Sequence, residues 1–154
     1  LGLTVEQNEQ LFNQELILRF MSLLGGPSTI KCSVSQHMTK FMENALRNND
    51  YDYLSFEKLF ERVFAVLRQL TPAIYRQKNG AFATSLYDVI TYGVANYIDI
   101  YEKMSTEYIA NIIETKVRTN ENFLRFSRKG GNNQRARIQN RLKVALEIFG
   151  KENQ

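Results

Sequence analysis

One stretch, TSLYDVITYGVANYI (84–98), dictates where the rest of the chain must go. Leu86, Tyr87, Val89, Ile90, Val94, Ala95 and Ile98 put apolar side chains on most sides of a helix. A helix that is apolar nearly all round is stable only when neighbours cover it nearly all round. We therefore place this segment at the centre of a bundle. Gly93 inside it costs about 1 kcal/mol relative to alanine, a cost that a close helix crossing offsets through tighter packing.

The other segments read as the helices that do the covering. From Thr4, a candidate cap, TVEQNEQLFNQELILRFMSLL carries Leu11, Phe12, Glu15, Leu16, Arg19, Phe20 and Leu23 at three-to-four spacing, and Gly25-Gly26-Pro27 stops it. A second helix opens at Ser33 or Ser35, with Val34, Met38, Phe41, Met42, Ala45 and Leu46 inward, and ends at Asn48-Asn49-Asp50. Ser55 followed by Glu57 and Glu61 starts a third, whose Phe56, Leu59, Phe60, Val63, Phe64 and Leu67 form a wide apolar stripe. Pro72 closes it near Leu70, Ile74 and Tyr75 fit an extra half-turn, and Lys78-Asn79-Gly80 is a turn signal.

The central helix is then capped at Thr84 or Ser85. Ser105 caps a fifth helix with Tyr108, Ile109, Ile112, Ile113 and Val117 inward, and a short helix spans Glu121 to Phe126. After the loop SRKGGNN, a last helix runs from about Gln134 to Phe149. Ile138, Leu142, Ala145, Leu146 and Phe149 face inward, and Gly150 stands where a C-cap glycine belongs. Two prolines and eight glycines leave little room for the turns of an all-β fold. The expectation is an all-α, compact bundle of six to seven helices, forming a single helical domain over residues 1–154. No apolar run approaches the roughly 20 residues of a spanning helix, since Arg19 interrupts LILRFMSLL. We expect no membrane association and a cytoplasmic location.

Charge is distributed unevenly. Between Lys116 and Phe149 nine basic residues face only Glu121 and Glu147, while the rest of the chain holds 11 of the 20 Lys and Arg and 14 of the 16 Asp and Glu. Such asymmetry points to an anionic partner for the C-terminal part. Arg128 and Lys129 flank a glycine pair just before a helix start, where free backbone amides attract anions, and Arg135, Arg137 and Arg141 add charge at the same end. These five are the candidate phosphate-contacting residues, with DNA as the candidate partner. The competing reading is a solvated helix face beside a flexible loop. KGGNNQR is not a Walker loop, because no Lys-Ser or Lys-Thr pair follows the glycines.

Catalytic chemistry finds little support. His37 is the only histidine and Cys32 the only cysteine, so a histidine-rich metal site and an internal disulfide are both ruled out. A reduced intracellular protein is the expected setting, with a reactive Cys32 as the alternative. Asp50, Asp52, Asp88, Asp99, Glu102 and Glu114 show no spacing that selects a metal or an acid–base couple, and read as solvated surface. We expect no catalytic residue, metal or cofactor in this chain. Arg19 lies on the apolar side of the first helix and would need a carboxylate there, either Glu15 or a residue from another helix.

Taken together, ELILRF (15–20), the Phe56–Leu70 segment, TSLYDVITYGVANY (84–97) and the closing NFLRF…GGNN…RIQNRLKVALEIFG resemble the C-terminal helical half of the GmrSD-type DNA endonucleases, the "domain of unknown function 262" group. The resemblance spans nearly the whole chain. It implies a helical portion of a longer protein, whose N-terminal part would be a ParB-like nuclease fold with an Asp-Gly-Gln-Gln-Arg motif, nucleotide hydrolysis and restriction of modified phage DNA. That motif is absent here, since no Asp-Gly occurs in the chain, so no catalytic residue carries over. The start at Leu1 fits such a fragment. The expected function is a nucleic-acid-binding or positioning module of a phage-defence protein. The alternative is an interaction module packing on the nuclease domain.

Overall fold

The computed structural model describes residues 4–6, 11–127 and 133–150. Eight α-helices are named here: α1 (Phe12–Leu23), α2 (Val34–Arg47), α3 (Tyr53–Leu67), α4 (Thr84–Asn96), α5 (Ile98–Tyr101), α6 (Thr106–Ile112), α7 (Glu121–Ser127) and α8 (Arg135–Gly150). Among the described residues there is no strand beyond one isolated antiparallel bridge between Arg76 and Phe82. The fold is the expected all-α bundle. Its eighth helix arises because Tyr97, at φ −128°, breaks the central helix before Ile98.

Helix α4 lies at the centre, as its all-round apolarity requires. Every residue from Ser85 to Ala95 is buried. Helices α1, α3 and α8 pack on it, α8 most extensively. The close crossing expected at Gly93 is with α8, where an added Cβ would collide with the Phe149 ring. Gly150 remains helical, and what it supplies is close approach to the Tyr97 hydroxyl rather than a left-handed cap.

Several helix starts differ from those read in the sequence, for reasons of local hydrogen bonding. Leu11 adopts a left-handed conformation (φ 58°) and α1 begins only after it, so Thr4 is not its cap and Leu11 points outward. Ser33 caps α2, while α3 starts two residues before Ser55, because Asp52 Oδ1 accepts the Ser55 amide at 3.0 Å. Helix α4 has no side-chain cap, whereas Ser105 caps α6 as expected. Pro72–Tyr75 forms the extra turn as a 3₁₀ helix. Ile113–Val117 continues α6 as a π-helical turn, a local widening often seen at functional sites. Met42, Leu46 and Tyr108, expected inward, are exposed.

Among the described residues, no helix is long and apolar enough to cross a membrane.

Candidate nucleic-acid interface

The basic end of α8 is built around Asn133. Its carbonyl accepts the Val34 amide, the first of α2, at 3.0 Å, and its Oδ1 accepts from Arg19 Nη2 at 3.2 Å. The N-terminal ends of α2 and α8, helices of 14 and 16 residues, therefore converge on one residue. Gln139, one turn into α8, fastens the same end by donating to the carbonyls of Pro27 (3.1 Å) and Ile30 (2.8 Å). That leaves Lys31 exposed beside the junction. At α2 the Val34 amide is taken by Asn133 and the Gln36 amide by the Ser33 cap, so what that end offers an anion is chiefly its aligned peptide dipoles.

The five expected phosphate-contacting residues divide into three groups. Arg135 is exposed and Arg137 half-buried at this end of α8. Arg128 and Lys129 lie outside the described residues. Arg141 is a correction: it is fully buried, because residue 141 follows Ile138 by three and so shares the apolar face turned to α4. Its guanidinium is committed inside, with Nη2 on Asp88 Oδ2 at 3.2 Å and Nη1 on the Phe126 carbonyl at 2.9 Å.

Asp88 is the second correction. Expected on the surface, it is 1% exposed in the middle of α4 and is gripped from both sides. Arg19 of α1 forks onto it, Nε to Oδ1 at 2.5 Å and Nη2 to Oδ2 at 2.8 Å, which settles the partner that Arg19 needed. Glu15, on the same helix, supplies only a longer-range attraction. The sequence did carry a signal for this pairing. A carboxylate inside an otherwise apolar helix and an arginine on another helix's apolar face are each too costly to bury alone, so they belong together.

The cluster is not neutral. Arg19, Arg141 and Asp88 are the only buried charged residues among those described, so two guanidiniums share one carboxylate and positive charge is locally in excess beneath the end of α8. Its influence is visible in the two arginines. Burial disfavours the charged form of Arg19, but attraction and hydrogen bonding to Asp88 outweigh it and hold its proton more tightly than usual. For Arg141, burial together with repulsion from Arg19 outweighs the help of Asp88 and loosens its proton. Charges in a low-dielectric interior act further than the same charges in water, so this positive charge raises the potential around Lys31, Arg135 and Arg137.

Of the remaining chemical candidates, His37, Asp52, Asp99, Glu102 and Glu114 have structural partners. His37 Nε2 lies 2.9 Å from the Ser22 carbonyl, joining α2 to α1. Asp52 caps α3, Asp99 and Glu102 hold Arg62, and Glu114 holds Arg118. Among the described residues no group of His, Cys, Asp and Glu is arranged to hold a metal. No family model, curated protein or solved structure matches the chain.

Proposed function

We propose that this chain is a helical nucleic-acid-binding module that positions DNA by contacting its phosphates, as part of a phage-defence protein of the endonuclease kind it resembles, working in the cytoplasm. One observation carries the reading. Two long helices present their N-terminal ends at Asn133, with Lys31, Arg135 and Arg137 around them and a buried net positive charge behind. Contacts of this kind hold a duplex without reading its bases, so binding should be strongly salt-dependent and weakly sequence-dependent.

Fluorescence anisotropy with a labelled duplex, titrated at salt concentrations from about 50 to 200 mM, tests this. Arg135→Glu with Arg137→Glu should weaken binding at least about tenfold at the low-salt end. It should also make the log–log salt slope shallower by about 1.8, the share of two phosphate contacts. Reversing Lys58 on α3 and Arg68 just after it, both exposed, serves as the control for net charge. Equal losses in the two double variants would sink the site, leaving only diffuse attraction.

A second reading, an interaction module seated on a ParB-like nuclease domain, is favoured by exposed apolar side chains on and before α1. Val5 is 75% exposed, Leu11 61% and Ile17 42%. It requires self-association or stickiness of the isolated chain that is insensitive to salt and relieved by polar substitution of Leu11 and Ile17.

A further inference from the structure

A cleft of about 840 Å³ opens between the Arg76–Gly80 turn, the start of α4, the π-helical turn and α7. Its walls are largely apolar, from Ala73, Ala83 and Leu86 on one side and Phe123 and Leu124 on the other. Its size is that of sites for drug-sized molecules. Arg118 builds the cleft rather than filling it. The guanidinium donates to Glu114 (2.7 Å), to the Arg76 carbonyl (2.9 Å) and to the carbonyls of Ala73 (2.8 Å) and Ile74 (3.2 Å). The three carbonyl bonds tie the 3₁₀ turn and Arg76 to the helical wall opposite, while the Glu114 bond braces Arg118 within that wall, so the cavity is preformed.

Two features give the cleft a chemical preference. Among the described residues the lining carries three cations, Arg76, Lys78 and Arg118, against one carboxylate, Glu114, which Arg118 already holds. Inside, the Ser127 hydroxyl is buried with no hydrogen-bond partner among the described residues, and Ser85, 4% exposed, lines the floor. A buried hydroxyl without a partner costs on the order of 1–3 kcal/mol, which an acceptor on a ligand would recover. We infer that this cleft is a binding site for a small amphipathic anion, with an apolar body lying against Leu86, Phe123 and Leu124 and an acidic head at Arg76 and Lys78.

The test uses decanoate and decylamine, which share a chain and differ in head charge, each titrated into the protein and followed by two-dimensional amide NMR. Decanoate should shift the amides of Gln77 to Gly80 and of Phe123 to Ser127 in a saturable way, and decylamine should bind at least about fivefold more weakly. Lys78→Glu, at an exposed position, should weaken decanoate by a similar factor. Ala73→Trp, also exposed, should close the cleft and abolish the shifts while the spectrum stays dispersed. Equal affinity for the two heads would overturn the proposal, as would shifts centred on exposed Leu46, Tyr53 and Leu54. Absence of saturable binding by either probe would also overturn it.

Discussion

Two ion clusters in this molecule use the same groups in opposite proportions. In the interior, Arg19 and Arg141 share Asp88, and at the surface, Asp99 and Glu102 share Arg62. Both are fork-like, with the shortest contact in each at 2.5 Å. The difference is water. The side chains of the first set are at most 1% exposed, whereas those of the second are 42% for Arg62, 80% for Asp99 and 35% for Glu102. In water a mismatched charge is screened for little cost, but in the interior each one must be answered by a neighbour. The interior cluster joins α1, α4 and α8 across most of the sequence, so it fixes which helices meet. The surface cluster ties α3 to α5 and the turn after it, which the core already holds together.

The largest expected effect follows from removing the shared carboxylate. Asp88→Ala leaves two buried guanidiniums without their counter-charge and should cost about 3–5 kcal/mol in urea unfolding. Arg141→Met instead removes the surplus charge, keeps the Arg19–Asp88 fork and retains an unbranched side chain, so it should cost about 1 kcal/mol or less. Comparable losses in the two variants would mean that packing, not charge balance, decides this cluster.

That cluster also marks where the sequence was legible and where it was not. The central place of α4, the close crossing at Gly93 and the need of Arg19 for a carboxylate all follow from periodicity and from the cost of burying charge. The identity of that carboxylate did not follow, because Asp88 is one of several on the chain and its distance of 69 positions from Arg19 leaves no local trace. Arg141 was misplaced for a related reason. Helix spacing puts it one turn from Arg137 and also three residues from Ile138, and only the packing against α4 decides which neighbour it joins. The junction at Asn133 was invisible for the same reason, since it depends on a backbone bond between Asn133 and Val34. Local composition located the basic end of α8, but tertiary contacts chose which of its arginines face water.

At the surface cluster the expected effects are smaller and have a different signature. Arg62→Ala should shift the thermal midpoint by no more than roughly 1–2 °C at low ionic strength, and the shift should vanish in about 0.5 M salt. Asp88→Ala should keep its full effect in the same salt, because the interior is not screened. If Arg62→Ala proved as costly and as salt-insensitive as Asp88→Ala, burial would not be what separates the two clusters.

Acid provides the finest separation. Hydrogen bonding to Arg62, then its charge, holds the Asp99 carboxyl below the usual carboxylate range. A carboxylate whose folded-state pKa is depressed contributes stability that is present above its unfolded value, near 3.8, and is lost as pH falls through the folded value. The unfolded chain binds the proton first, so acid favours unfolding through this group. Asp99→Asn should therefore lower the thermal midpoint slightly at neutral pH, and its curve should merge with that of the unmodified chain once the pH has fallen below the folded value. The offset should shrink with added salt in step with the loss seen for Arg62→Ala, since both report one exposed contact. An offset that persisted unchanged into strong acid would show that Asp99 acts through something other than its charge, and the surface cluster would no longer be the screened counterpart of the buried one.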